Sequence, residues 1–117
     1  MNLLALAIAG HLIGDWIIQT DQQAANKMTS WAANQRHMAG YHATLYALCA
    51  WAGPLEAAII VAVSWPTHSI IDRRWPVTWL MEHTGSAPFA KTPWGPLAVD
   101  QALHLAILCL TVAALTP

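Results

Sequence analysis

The stretch Leu3–Gln19, LLALAIAGHLIGDWIIQ, decides the fold class of this chain. It is apolar as far as Gly10 and then carries His11, Asp15 and Gln19 at intervals of four residues. Residues four apart lie on one face of an α-helix, one turn apart. An apolar helix with ionisable side chains along a single stripe is typical of a membrane helix whose polar stripe faces the interior of a bundle.

Three further apolar stretches follow, at residues 38–53, 55–72 and 97–115. Together with the first, at residues 3–20, they predict an all-α fold, an integral membrane bundle of about four transmembrane helices. We expect a single membrane domain over residues 1–117. Each stretch reaches the length of a membrane span only when the ionisable residues at one of its ends are included.

The composition favours a membrane location. Hydrophobic residues make up 56% of the 117 residues and charged residues only 9%, whereas soluble domains carry about 25% charged residues. The net charge of −1 argues against a nucleic-acid partner, because that binding depends on neutralising phosphates. The expected partner is the lipid bilayer, and the formation of a homo-oligomer is left as a possibility. The alternative is a soluble helical protein whose apolar surface is buried in an assembly.

The basic residues predict the orientation in the membrane. All five lie in the two segments that would share one side of a four-span protein, residues 20–39 and 73–96. They are Lys27, Arg36, Arg73, Arg74 and Lys91. Because basic loops are retained in the cytoplasm, we expect a bacterial inner membrane protein with cytoplasmic basic loops and both termini outside. The Trp- and Pro-rich residues 75–96 are expected to lie along the interface, with a short helix at 77–83.

The later apolar stretches repeat the polar pattern of the first. His68 and Asp72 are four residues apart, as are Asp100 and His104, and His42 lies near the start of the second stretch. Alternating helix directions bring these side chains to a similar depth, near the cytoplasmic boundary. Ionisable groups in a bilayer are costly, and they persist by facing the bundle interior and pairing. Imidazole and carboxylate together suit Zn, Fe or Mn.

We therefore predict a divalent metal site near the cytoplasmic face, with zinc favoured, iron or manganese as alternatives, and either one or two ions. The candidate ligands are His11, Asp15, His42, His68, Asp72, Asp100 and His104. His37 and His83 are assigned to surface segments and are not included. The alternatives are a metal-free network of His–Asp hydrogen bonds and a set of unrelated local contacts.

The motifs around these residues resemble a known family. They are the stretch HLIGDWIIQ at 11–19, Lys27, His42, His68-x-x-Ile71-Asp72 and Asp100-Gln101-x-x-His104. Over nearly the whole chain they resemble a family of small bacterial and phage membrane proteins known as domain of unknown function 3307. The resemblance implies a membrane protein but no activity. The occurrence of such members in phage genomes is consistent with a role in a host membrane.

Three kinds of function stay open at this point. A metal-dependent hydrolase acting at the inner leaflet would use metal-bound water, with Asp15 or Asp100 as the catalytic general base. A non-enzymatic phage or host membrane factor, whether holin-like, exclusion or regulatory, would use the His–Asp cluster for structure. A proton or ion conductor is disfavoured, because the polar residues are confined to the inner half of the spans. No motif identifies a substrate.

Overall fold

Seven α-helices and no strand make up the computed structural model, which describes residues 1–117. The four long helices are α1 (Leu3–Leu12), α3 (Trp31–Cys49), α4 (Pro54–Ile71) and α7 (Gly95–Leu115). The three short ones are α2 (Asp21–Asn26), α5 (Trp75–Glu82) and α6 (Ala87–Ala90). The all-α fold class predicted from the sequence is therefore confirmed.

The first helix changes its winding before it ends. After Leu12 it continues as a π-helical turn over Ile13–Ile17, which contains Gly14 and Asp15. A π-turn is wider than an α-turn, and such turns are frequent at functional sites. The four-residue spacing of His11 and Asp15 therefore no longer places both side chains on one stripe of a regular α-helix.

Two glycines allow this segment to pack closely against α3. A Cβ atom at Gly10 would lie 3.1 Å from the Cα of Leu45, and one at Gly14 would lie 2.8 Å from Cδ2 of Tyr41. Cβ contacts as short as the second are not tolerated, so a side chain at Gly14 would push the two segments apart. The close approach fixes the position of Asp15, the next residue.

The four long helices form a closed ring in which α1 and α4 each pack against both α3 and α7. Successive long helices run in opposite directions, so α1 and α4 end where α3 and α7 begin. One end of the ring is filled by an apolar core: Leu3, Ala7, Tyr41, Leu45, Cys49, Ala57, Ile60, Leu108 and Val112. The interior of the other end is polar.

The helix boundaries differ from the predicted ones mainly in α3. The sequence predicts a helix from residue 38, but α3 begins at Trp31 because Ser30 caps it and accepts a hydrogen bond from the backbone N–H of Ala33. Ser at this position satisfies one of the free N–H groups of a first turn. The earlier start brings His37 into the helix.

Two helices, α4 and α7, are long and apolar enough to cross a membrane. The apolar segment Leu3–Ile17 is shorter, and α3 does not qualify, since its first turns carry Asn34, Gln35 and Arg36. A bundle of four spans is thus not confirmed. Two such helices give weak support for a membrane location, because core helices of soluble proteins have the same length and composition.

The close packing at Gly14 generates a test. Gly14→Ala should lower the free energy of unfolding by about 1–3 kcal/mol, the usual cost of overpacking. Gly40→Ala is the matched control, because a Cβ there would lie 3.6 Å from Cγ2 of Ile18, an ordinary contact, and Ala is the better helix former. Thermal unfolding of the purified protein, followed by circular dichroism, measures both. Equal stability of the two variants would contradict the packing described here.

Candidate metal centre

The polar end of the ring contains a buried cluster of ionisable side chains contributed by every long helix. Its members are Asp15, Lys27, His37, His68, Asp72, Asp100 and His104, all of them buried. Buried charges are costly unless they are paired or bound to a metal. The contacts among these side chains therefore decide what the cluster can do.

Four potential ligand atoms of this cluster converge, and we call these residues, Asp15, His37, His68 and Asp72, the four-ligand group. Nε2 of His37 lies 2.9 Å from Oδ1 of Asp15 and 3.3 Å from Oδ2 of Asp72. Nε2 of His68 lies 3.6 Å and 3.3 Å from the same two oxygens. Ligands about 2.0–2.1 Å from a tetrahedral zinc ion are about 3.3–3.4 Å apart. Four of the six distances among these atoms are thus close to those of a tetrahedral metal site, and all six are within 4.8 Å.

His68 is the member of this group whose ring has no hydrogen-bond partner. Both of its ring nitrogens are buried without one. Most buried polar side-chain atoms in proteins do have a partner. Nε2 of His68, the atom that belongs to the four-ligand group, is thus left without a hydrogen bond, as is expected of a metal ligand.

Lys27 supplies a positive charge beside the same carboxylates. It follows α2 directly, and its Nζ lies 3.0 Å from Oδ2 of Asp72 and 3.5 Å from Oδ1 of Asp15. These are the two oxygens that belong to the four-ligand group. The ammonium group and a metal ion would therefore compete for the same carboxylate oxygens.

The second oxygen of Asp72 belongs to a three-ligand group formed with Asp100 and His104. Nε2 of His104 lies 3.1 Å from Oδ1 of Asp72 and 3.0 Å from Oδ1 of Asp100. Nε of Arg74 lies 3.2 Å from Oδ2 of Asp100. Asp72 thus joins the two groups, with one oxygen in each.

The immediate surroundings keep Asp72 ionised. Burial by itself raises the pKa of the Asp72 carboxyl, but the hydrogen bond from His104 and the nearby His37 hold that pKa well below its ordinary value. The pKa of the His37 imidazole is raised. Burial alone would lower it, but the adjacent carboxylates of Asp15 and Asp72 hold it above its ordinary value. The cluster therefore favours charged carboxylates with cationic partners.

A chain of hydrogen bonds orients Asp15 from outside the group. Nε2 of Gln101 donates to Oδ2 of Asp15 at 2.8 Å, and Oε1 of Gln101 accepts from Nε2 of His11 at 3.0 Å. Nδ1 of His11 then accepts from the hydroxyl of Tyr41 at 2.9 Å. With Oδ2 engaged in this way, Oδ1 of Asp15 is directed towards the four-ligand group. Supporting bonds of this kind orient metal ligands.

Five of the seven residues predicted as ligands lie in the two groups. The structure does not bring the other two, His11 and His42, into either group. Both ring nitrogens of His11 take part in the chain just described. Those of His42 are engaged by the carbonyl oxygen of Met38 and the hydroxyl of Ser64, at 2.8 Å and 3.0 Å.

The assignment of His37 to a surface segment is wrong. This side chain is 1% exposed and lies in the four-ligand group. A signal for this was present in the sequence. Four residues of α3 that follow helical spacing are all buried, and they continue the inward-facing side of the helix back towards the cap at Ser30: Asn34, His37, Met38 and Tyr41. His83, the other excluded histidine, is exposed.

A cleft of about 180 Å³ leads from the surface to the cluster. Asp15, Lys27, Arg74 and Gln101 line it together with Gln19. It is large enough for water and a small polar ligand. The cleft therefore gives the four-ligand group access to solvent through Asp15 and Lys27.

The fold and the cluster define a helical-bundle protein with a buried His/Asp site that could hold a metal ion. A family model described as "Protein of unknown function (DUF3307)" matches residues 3–117. The chain therefore belongs to this family, and the resemblance drawn from its motifs is confirmed. Neither a curated protein nor a solved structure gives a significant match.

Proposed function

We propose that this protein binds a divalent transition-metal ion, zinc in the first place and iron or manganese as alternatives, in the four-ligand group. The spacing of the four atoms, 2.9–3.6 Å along the measured pairs, is the observation that carries the proposal. Two imidazole nitrogens and two carboxylate oxygens form a donor set that suits these ions. The unpartnered nitrogens of His68 further support it.

The surrounding contacts assign supporting roles to the remaining polar residues. His104 donates to Oδ1 of Asp72 and Gln101 donates to Oδ2 of Asp15. Each bond engages the carboxylate oxygen that does not belong to the four-ligand group. The donors would thus hold both carboxylates in the orientation that a metal ion requires, as supporting residues commonly do. In this arrangement His11 contributes through Gln101 and is not itself a ligand.

Metal binding is tested with the histidines. The purified protein should bind one zinc ion per chain, and His37→Ala and His68→Ala should each weaken zinc binding by more than about 100-fold, because loss of a supporting residue alone costs about 10–100-fold. Elemental analysis and competition titration with a chelator measure this. His83→Ala, which changes an exposed histidine, is the control and should bind zinc normally. Absence of stoichiometric zinc from the unsubstituted protein would overturn the proposal.

A metal-free cluster in a non-enzymatic membrane factor, holin-like, exclusion or regulatory, is the second candidate. The ion pairs of Lys27 with Asp72 and of Arg74 with Asp100 favour it, since they already compensate buried carboxylates. Lys27→Met separates the two functions. If zinc binds, the variant should bind it more tightly than the parent, because the competing ammonium group is gone. If the cluster is metal-free, the variant should be less stable by about 3–5 kcal/mol, and zinc should not restore it.

A location in the bacterial inner membrane is part of the proposal. Large apolar side chains are exposed on the outside of the ring, among them Ile17 at 72%, Leu55 at 68% and Leu110 at 71%. Lys27, Arg73 and Arg74 lie at the end of the ring that holds the polar cluster. Basic residues on one side favour a cytoplasmic position for that end, with both termini outside.

This location predicts the behaviour of the expressed protein on fractionation. It should sediment with membranes and stay there after washing with alkaline carbonate, which removes proteins held only by surface charge. A C-terminal fusion to a reporter that is active only outside the inner membrane should be active, and a fusion to a reporter that is active only in the cytoplasm should not. Release of the protein by carbonate, without detergent, would contradict the proposed location, and it would leave the zinc test unaffected.

For this centre we propose hydrolysis, with a water molecule as a fifth ligand beside the four protein ligands, since zinc can expand from four- to five-coordinate. A zinc ion lowers the pKa of bound water and so supplies a nucleophile at neutral pH. Asp15 would serve as a ligand in this centre, which leaves Asp100 as the candidate general base. Gln101 connects the two, because its Nε2 also lies 3.3 Å from Oδ1 of Asp100.

The role of Asp100 predicts a separation of binding from turnover. Asp100→Asn should keep its zinc but hydrolyse small chromogenic esters at least about 100-fold more slowly, the usual contribution of a general base. Asp21→Asn, at an exposed position in α2, is the control. Turnover in Asp100→Asn equal to that of the parent would remove Asp100 from the reaction. Absence of turnover in the zinc-loaded parent would overturn the proposed hydrolase activity but not the proposed metal site.

A further inference from the structure

The cleft that leads to the cluster is lined by two cations. Lys27 lies at its inner end beside Asp15 and Asp72, and Arg74 lies in its wall beside Asp100. Gln101 and Gln19 add amide groups. The polar lining of this cleft contrasts with the outer face of the ring, which carries many exposed apolar side chains.

The net charge of this region becomes positive when a metal ion binds. The carboxylates of Asp15, Asp72 and Asp100 outnumber the cations Lys27 and Arg74 by one. A divalent ion adds two positive charges, which leaves an excess of one positive charge before any protonated imidazole is counted. Because uncompensated charge in a buried site is costly, the metal-loaded cluster requires an anion, and the cleft is where an anion has access.

Arg74 is held in place for such a contact. Its backbone has φ 66° and ψ −35°, a left-handed conformation that is costly for a residue with a side chain. Its Nε lies 3.2 Å from Oδ2 of Asp100 in an ion pair that lacks the geometry of a hydrogen bond, and its side chain is 24% exposed. A residue kept in a strained conformation with free donors at a cleft is typical of a ligand-binding position.

The donors favour a phosphate group over other anions. A guanidinium fork and an ammonium group, together with a metal ion, can each contact a different oxygen of a tetrahedral oxyanion. The volume of about 180 Å³ accommodates a phosphate group with a small substituent. A planar carboxylate has too few oxygens to engage all three.

We propose that the cleft binds a phosphate group, as inorganic phosphate or as the headgroup of a phospholipid, between Lys27, Arg74 and the metal ion. The proposal rests on the proposed metal binding and names the substrate class of that site. Metal and phosphate then bind with positive cooperativity, because each compensates the charge of the other. Arg74 acts by binding the phosphate and is not a metal ligand.

The first experiment compares the detergent-purified protein with and without zinc. Inorganic phosphate, titrated by calorimetry, should bind at least about tenfold more tightly to the zinc-loaded protein, a difference of about 1.4 kcal/mol. Arg74→Gln should lose at least this tenfold while it keeps one zinc ion per chain. Arg36→Gln, at an exposed arginine outside the cleft, should behave as the parent. Acetate should bind at least tenfold more weakly than phosphate.

The second experiment distinguishes the two sources of phosphate. The zinc-loaded protein is reconstituted in nanodiscs of phosphatidylcholine, alone or with phosphatidic acid, and titrated with inorganic phosphate. If the cleft takes a lipid headgroup, phosphatidic acid should compete and weaken binding of inorganic phosphate in the parent but not in Arg74→Gln. If it takes free phosphate, both lipid compositions should give the same affinity. Either result supports a phosphate site.

Three results would overturn the inference while the metal site stands. They are phosphate binding that is independent of zinc, normal phosphate binding in zinc-loaded Arg74→Gln, and binding of acetate as tight as that of phosphate. Failure of the parent to bind zinc is a different outcome. It would overturn the proposed function, and the phosphate site, which depends on the charge of the metal, would fall with it.

Discussion

The carboxylate of Asp72 is the group on which the polar end of this protein depends. It has no exposed surface, and it accepts contacts from α2, α3 and α7 as well as from His68 of its own helix. A buried carboxylate is tolerated only when cations or donors surround it. The bundle brings them together, and removing α2, α3 or α7 would leave this charge without part of its compensation.

The same constraint explains the division of the interior. Apolar residues fill the end of the ring where α3 and α7 finish, while the ionisable residues are collected at the other end. A charge placed among the apolar core residues would lack partners. By gathering every buried charge at one end, the sequence lets each charged group compensate another. This end is also where the basic residues lie, so the polar site and the basic loops occur together.

The sequence alone predicts the helices and much of the cluster. The pairs His68/Asp72 and Asp100/His104 are visible because four-residue spacing in a regular α-helix fixes their relative position. The contacts of Lys27 and Arg74 with the carboxylates are not visible, because they depend on how separate segments pack. His37 was hidden by a helix start placed too late. The position of Asp15 relative to His11 depends on the π-turn, for which four-residue spacing gives no signal.

The π-turn at Ile13–Ile17 has a further consequence for the first helix. Each residue of an α-helix is rotated by about 100° from the previous one, so a turn that holds an extra residue redirects all that follows by about this angle. The apolar face of α1 can then pack against the apolar core while the carboxylate of Asp15 points into the polar cluster. Deleting one residue from the turn would restore a regular helix, and either the apolar contacts or the carboxylate would face the wrong way.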